Sequence, residues 1–255
     1  MSDTALSINL NKIALLRNSR EGDYPSPVEF GRLCIEAGCH GITVHPRPDQ
    51  RHIRPDDVYN LAELCREYSS IEFNVEGNPF AGEIGDYPGF LKLVEETRPD
   101  QVTLVPDNDD QLTSDHGFNL KVDGDRIRPI IQRLHVQGIR VSLFMDPDPE
   151  QIALARDVGA NRIELYTGPY AWAYERNDPE LEDLFLRYDE AAKSAQNIGL
   201  GVNAGHDLNL ENLPKFLGIP DILEVSIGHA FTADSLLLGM NNCVKAYLNI
   251  VQARS

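Results

Sequence analysis

Four short apolar runs in this chain end in side chains that can exchange protons or hold anions. Gly41-Ile42-Thr43-Val44 leads into His45, Pro46 and Arg47, with Arg51 and His52 just beyond; Phe73-Asn74-Val75-Glu76 follows Glu72. The run from Gly199 to Gly205 delivers His206, and the run from Ile222 to Gly228 delivers His229. Imidazoles and carboxylates are the usual general acids and bases near neutral pH. Strand followed by chemistry is the pattern of a (β/α)8 enzyme, whose catalytic groups collect where strands end and βα-loops begin. The four runs are expected to bring their ionisable groups to one face.

Each candidate has an ordinary alternative. A lone histidine at a strand end is commonly structural, but His45 has Arg47, Arg51 and His52 beside it, a cluster too charged for a core. Glu72 lies early in its strand, where a carboxylate pointing into a barrel is costly unless hydrogen-bonded or catalytic; outward-facing or salt-bridged, it would be inert. Glu76 competes for the same role, and position alone favours it. His206 follows a small-residue turn that allows close approach to a ligand. Gly228-His229 closes the last strand, where the loops after strands seven and eight commonly hold phosphate; a structural glycine is the plain alternative. Asp107, Asp109 and Asp110 read as a solvated acidic loop rather than a metal site, because no histidines stand at fixed spacing to them. Glycine-rich dinucleotide and P-loop fingerprints are absent.

The elements that would position these groups alternate along the chain. Strands are expected at 6–10, 41–44, 71–75, 101–105, 140–144, 162–166, 199–203 and 222–227, by hydrophobic periodicity and flanking turn residues. Helices are expected at 25–37, 54–68, 87–96, 125–137, 149–158, 179–197, 211–217 and 233–251. Eight such units in 255 residues predict one all-parallel (β/α)8 barrel, a TIM barrel in a single domain, rather than an open sheet. The connection 107–124 is long, polar and acidic, and is expected to act as a lid.

Composition sets limits on partners. Lys+Arg 23 against Asp+Glu 40 gives a net charge of −17, which opposes attraction to nucleic acid or to an anionic membrane. An anionic substrate would need a local basic pocket, for which Arg47, Arg51 and His52 are candidates, with Arg17 and Arg20 adding from the first βα-loop. Cys34, Cys39, Cys65 and Cys243 lack CxxC spacing and read as free thiols in a reducing cytoplasm. No secretory signal or membrane-spanning run is seen.

Together, Asn9-Leu10-Asn11-Lys12-Ile13-Ala14-Leu15-Leu16-Arg17-Asn18, Gly41 to Arg47, Arg51-His52-Ile53, Val202-Asn203-Ala204-Gly205-His206 and Ile227-Gly228-His229-Ala230 resemble the pyridoxine 5'-phosphate synthase family over essentially the whole chain. The resemblance implies a barrel that condenses 1-deoxy-D-xylulose 5-phosphate with 3-amino-2-oxopropyl phosphate, releasing phosphate and water, with no metal or organic cofactor and with a homo-oligomer, an octamer in the family. It implies His45 and Glu72 as acid/base residues and His206 as proton donor, so it prefers Glu72 to Glu76. It implies Asn9, Arg20, Gly228 and His229 on the amino-ketone phosphate, Arg47, His52 and Thr113 on the deoxyxylulose phosphate, and Glu164 as a further acid of the pocket. The chain departs from the family at Asn11 and Lys12, where many members carry Asp-His, and at Asp207, where they carry Gly. Lys12 can still meet an anionic substrate; Asp207 keeps a substrate contact only if it is made through the backbone.

Three other functions compete. An aldolase or epimerase could use Lys12 as a Schiff base. A metal-dependent hydrolase could use His45, His206 and His229, although the first-strand His-x-His of such barrels is missing. A non-catalytic scaffold barrel would leave the convergence of His45, Glu72 and His206 unexplained.

Overall fold

The computed structural model describes residues 4–108 and 111–253. Eight strands, β1 (Ala5–Asn9), β2 (Gly41–Val44), β3 (Glu72–Gly77), β4 (Gln101–Leu104), β5 (Arg140–Met145), β6 (Arg162–Tyr166), β7 (Gly201–Gly205) and β8 (Ile222–Ile227), pair in parallel in sequence order. β8 returns to β1, so the sheet closes into the barrel predicted.

Strict alternation along each strand builds two different environments. Leu6, Ile8, Ile42, Val44, Phe73, Val75, Val102, Leu104, Ile163 and Leu165 are buried in one continuous apolar core, which the strands share with the surrounding helices. Their neighbours in sequence point the other way, because successive side chains of a strand face opposite sides. Those inward positions are polar: Ser7, Thr43, Asn74, Gln101, Thr103, Glu164, Asn203 and Glu224 are all buried. Thr43 is bonded to Ser7 at 2.7 Å, Thr103 donates to Asn74 at 3.2 Å and to Glu164 at 3.3 Å, and Asn203 donates to Gln101 at 3.4 Å. The usual layers of branched aliphatic side chains in such barrels are replaced here by a hydrogen-bonded column.

The helices are α1 (Asn11–Asn18), α2 (Pro27–Ala37), α3 (Pro55–Arg66), α4 (Phe90–Thr97), α5 (Leu120–Val136), α6 (Pro149–Asp157), α7 (Gly168–Glu175), α8 (Leu181–Asn197), α9 (Leu213–Phe216), α10 (His229–Leu238) and α11 (Met240–Gln252). Four features differ from the sequence reading. α1 occupies what was expected to be an open first loop, α7 is an additional helix after β6, and the last expected helix is two, broken at Gly239, which has φ +75°. α5 starts at Leu120 rather than near 125, so the long connection ends earlier. No helix among the described residues is long and apolar enough to cross a membrane.

Candidate active site

The C-terminal ends of the strands carry the site. His45 follows β2 and is buried; its backbone N–H donates to Asn11 Oδ1 at 2.9 Å, so the first residue of α1 fixes where β2 ends. Its Nε2 lies 3.3 Å from Asp107 Oδ2, and Arg47 donates to that same oxygen at 2.5 Å. Burial pushes the His45 imidazole down to about 3, with Arg47 and Arg51 adding in the same direction. His45 is therefore neutral at pH 7, and its approach to Asp107 is not an ion pair.

His52 stands beside it, ring centroids 6.3 Å apart and edge to face. It is also buried and pushed down to about 3, first by burial and then by His45 and Arg47. The Ile53 N–H donates to its Nδ1 at 2.9 Å, so the ring proton sits on Nε2. Arg17 is not part of an anion pocket, as the sequence suggested. It is buried, clamps Asp57 with two nitrogens at 2.5 and 2.9 Å, and donates to the His52 carbonyl at 3.2 Å. Its role is to tie α1 and α3 to the His52 segment.

The two candidate glutamates part company. Glu72 is the first residue of β3, half-exposed, and ion-paired with Arg140 at the barrel's N-terminal end. It borders a cavity of about 210 Å³ there, with Ser7, His40, Arg162 and Glu224. Four residues of strand, about 13 Å, separate it from Glu76. Glu76 is buried at the His45 end, where Asn9 Nδ2 and Asn74 Nδ2 each donate to its carboxyl at 3.4 Å. Burial, reinforced by Glu164, Glu224 and Asp107, raises Glu76 well above the ordinary carboxylate range. Glu164, below it in the lumen, is pushed up to about 8 by burial and by Glu224. Of the two, Glu76 stands at the His45 end of the barrel, as the position along the strand suggested, and Glu72 at the opposite end.

His206 and Asp207 follow β7, with His206 Nδ1 2.9 Å from Asp207 Oδ2 and Nε2 2.9 Å from Thr113 Oγ1. The Tyr166 ring meets the imidazole edge to face, centroids 5.0 Å apart. Lys12, half-buried in α1, is lowered by burial; Asp207 acts on it in the opposite sense, and Arg47 and Arg51 in the same sense. Gly228 packs directly on Asn9: a Cβ there would lie 3.2 Å from the Asn9 Cβ. His229 is exposed at the N-terminus of α10 and within electrostatic reach of Asp207. Arg20, by contrast, is exposed on the turn after α1, with its backbone N–H on the Arg17 carbonyl. Its side chain is not joined to the other site residues by any described contact.

Sequence reasoning missed Asp107, read as part of a solvated acidic loop. It is buried, accepts from Ser114 at 3.1 Å as well as from Arg47, and its carbonyl accepts from Asn78 at 2.6 Å. The available signal was its place three residues beyond the apolar end of β4. Asp109 and Asp110, its companions in that reading, lie outside the described residues. Among the described residues no three of His, Cys, Asp and Glu converge in a way that would hold a metal ion.

Residues 6–253 match the family model described as pyridoxal phosphate biosynthesis protein PdxJ. The chain belongs to that family. It is 55 % identical over 249 residues to a pyridoxine 5'-phosphate synthase of Xanthomonas campestris pv. campestris, covering 97 % of this chain and 96 % of that protein. It is 52 % identical over 252 residues to the synthase of that name from Xylella fastidiosa, covering 98 % and 95 %. Among solved structures, 3-keto-L-gulonate-6-phosphate decarboxylase from Vibrio cholerae superposes with a TM-score of 0.65 over 99 % of both chains at 9 % identity, a likeness of fold alone. The family thus agrees with the resemblance read from the five motifs.

Proposed function

We propose that this chain makes pyridoxine 5'-phosphate from 1-deoxy-D-xylulose 5-phosphate and 3-amino-2-oxopropyl phosphate, with His45, Glu76 and His206 moving the protons. Imine formation, dehydration, phosphate loss and carbon–carbon closure each need a proton taken or given at neutral pH. The single observation that carries the assignment is a buried neutral imidazole, His45, and a buried carboxyl whose surroundings favour its protonated form, Glu76, at the same end of the barrel. A base and an acid kept apart in protonation state by their surroundings are what such chemistry uses.

Around them, Arg47 and His52 take the deoxyxylulose phosphate, while Asn9, Gly228 and His229 take the amino-ketone phosphate at the start of α10, where backbone N–H groups favour an anion. Asn11 holds His45 rather than substrate. Lys12 faces the anionic ligands from α1, and Thr113 reaches the site from the connection after β4. That connection acts as a lid; in support, Arg47 donates to the Gln111 carbonyl at 3.2 Å, and Arg51 to the carbonyls of Gln111 at 2.9 Å and Leu112 at 3.2 Å. Arg20 reaches a site only if a second copy brings it there, which fits the homo-oligomer the family implies; light scattering of the purified protein reads the assembly directly. The four buried thiols fit a reducing cytoplasm. The decisive assay supplies both phosphates to purified protein and follows pyridoxine 5'-phosphate by its absorbance. A protein that turns over neither substrate, alone or together, refutes the reading.

A further inference from the structure

Asp207 is out of place as a substrate contact. Two phosphorylated substrates bring several negative charges to this mouth, and a carboxylate facing them repels them. Its geometry points elsewhere. His206 and Asp207 both adopt left-handed backbone, with φ +88° and +58°, a conformation that costs a residue with a Cβ and persists only when its surroundings enforce it. Here they do: Thr167 Oγ1 donates to the Gly205 carbonyl at 2.7 Å and also to that of His206, and Asn212 Nδ2 donates to the Asp207 carbonyl at 3.1 Å. The consecutive left-handed residues fold the Asp207 carboxylate back onto its own neighbour's ring, 2.9 Å from Nδ1.

We propose that Asp207 is a positioning residue for His206: it holds the neutral imidazole with its proton on Nδ1 and leaves Nε2 as the nitrogen that exchanges a proton with substrate. Nε2 already points at the connection after β4, 2.9 Å from the Thr113 hydroxyl, and the Tyr166 ring packs edge to face against the imidazole. In the proton-transfer step, the Nε2 lone pair takes a proton from substrate and the ring becomes an imidazolium with both nitrogens protonated. Asp207 stays ionised beside it, and the same Nε2 proton is returned to the departing oxygen. The hydrogen bond from His206, with the charge of Lys12 adding in the same direction, holds Asp207 below the usual range. The arrangement parallels the way a buried aspartate fixes the tautomer of a catalytic histidine in hydrolases, built here from adjacent residues.

The proposal rests on His206 as a proton-transfer group, so its test has two readouts. Nitrogen-15 shifts of the His206 ring in the whole protein at pH 8 report the tautomer, and steady-state kinetics report its use. Asp207→Gly suits the left-handed backbone and Asp207→Asn keeps the shape. The expected result is a neutral ring protonated on Nδ1 in the unaltered protein and mainly on Nε2 in Asp207→Gly. Turnover should fall about 10²-fold, with KM for either phosphate changed by less than about threefold; Asp207→Asn should lie between. An unchanged tautomer in Asp207→Gly overturns the proposal, as does a changed KM with turnover intact, which would make Asp207 a substrate contact. If His206→Ala retains full turnover, the catalytic role of His206 fails even where the tautomer responds as described, so the two failures are told apart.

Discussion

Arg47 donates to Asp107 at 2.5 Å, both side chains buried. A guanidinium assigned to a substrate phosphate is thus already occupied by a carboxylate of the connection after β4. On the proposed assignment, binding exchanges one anion for another, and Asp107, which burial pushes up and Arg47 pulls down, is the group displaced. Asp107→Asn should therefore tighten inorganic phosphate binding about tenfold, roughly 1.4 kcal/mol. Titration calorimetry with phosphate measures this; equal or weaker affinity would show that Asp107 does not compete for Arg47.

Glu72 and Glu76 lie at opposite ends of the barrel, and the proposed mechanism uses only Glu76. Glu76→Gln, His45→Ala and His206→Ala should each lower turnover at least about 10²-fold with the fold intact. Glu72→Gln removes only a half-exposed ion pair with Arg140, worth about 0–1 kcal/mol of stability, and should leave turnover within about threefold. Steady-state assays beside thermal melts decide; a large loss in Glu72→Gln with normal turnover in Glu76→Gln would reverse the assignment.

The buried histidines and Glu164 leave opposite marks on stability against pH. His45 and His52 titrate near 3 when folded and near 6.5 when unfolded, so below about 6.5 the unfolded chain binds more protons. Stability then falls as pH drops toward 3, by at most about 1.4 kcal/mol per pH unit for each ring. Glu164 runs the other way: folded near 8 and unfolded near 4.5, it favours the folded state below 4.5 and loses that contribution as pH rises through 8. Urea titrations between pH 4 and 9 should show His52→Asn flattening the acid limb and Glu164→Gln the alkaline limb. Limbs that do not respond would mean that these groups keep ordinary pKa values in the folded protein.

The connection after β4 is expected to behave as two parts. Phe118 is buried, and its N–H donates to the Phe144 carbonyl at 3.0 Å; that amide should resist hydrogen exchange with or without ligand. Amides at 111–116 should gain protection only when substrates or phosphate are bound. Strong and equal protection across 111–116 in both conditions would identify a permanently packed loop.

Much of this was legible in the sequence, and the failures have physical causes. β2 ends where its β-branched run meets Pro46, and the eightfold alternation implied closure. α7 and α1 were missed because both begin directly at strand ends, without a side-chain cap to mark them, and the α10–α11 break rests on one glycine inside an apolar run. Glu72 and Glu76 share a strand face, so alternation cannot rank them; only register does. Glu72 pairs with Gly41 and Glu76 with Thr103, and the barrel's stagger then lifts one to the site and leaves the other at the base. Asp107 was misread because a buried acid and a solvated one look alike until the arginine that meets it, 60 residues away in sequence, is placed in space.

The polar column along the barrel axis divides the protein's constraints between two concentric shells. Outward side chains answer to shape: their replacement is felt as lost packing, and volume-conserving changes are tolerated there. Inward ones answer to valence, since each donor or acceptor removed orphans a partner in low dielectric. A Thr103→Val change, nearly equal in volume, therefore disturbs Asn74 and Glu164 more than Val102→Ile disturbs its neighbours. Drift in such a barrel can proceed freely on the outside, while the axis changes only by paired substitutions that conserve hydrogen bonds.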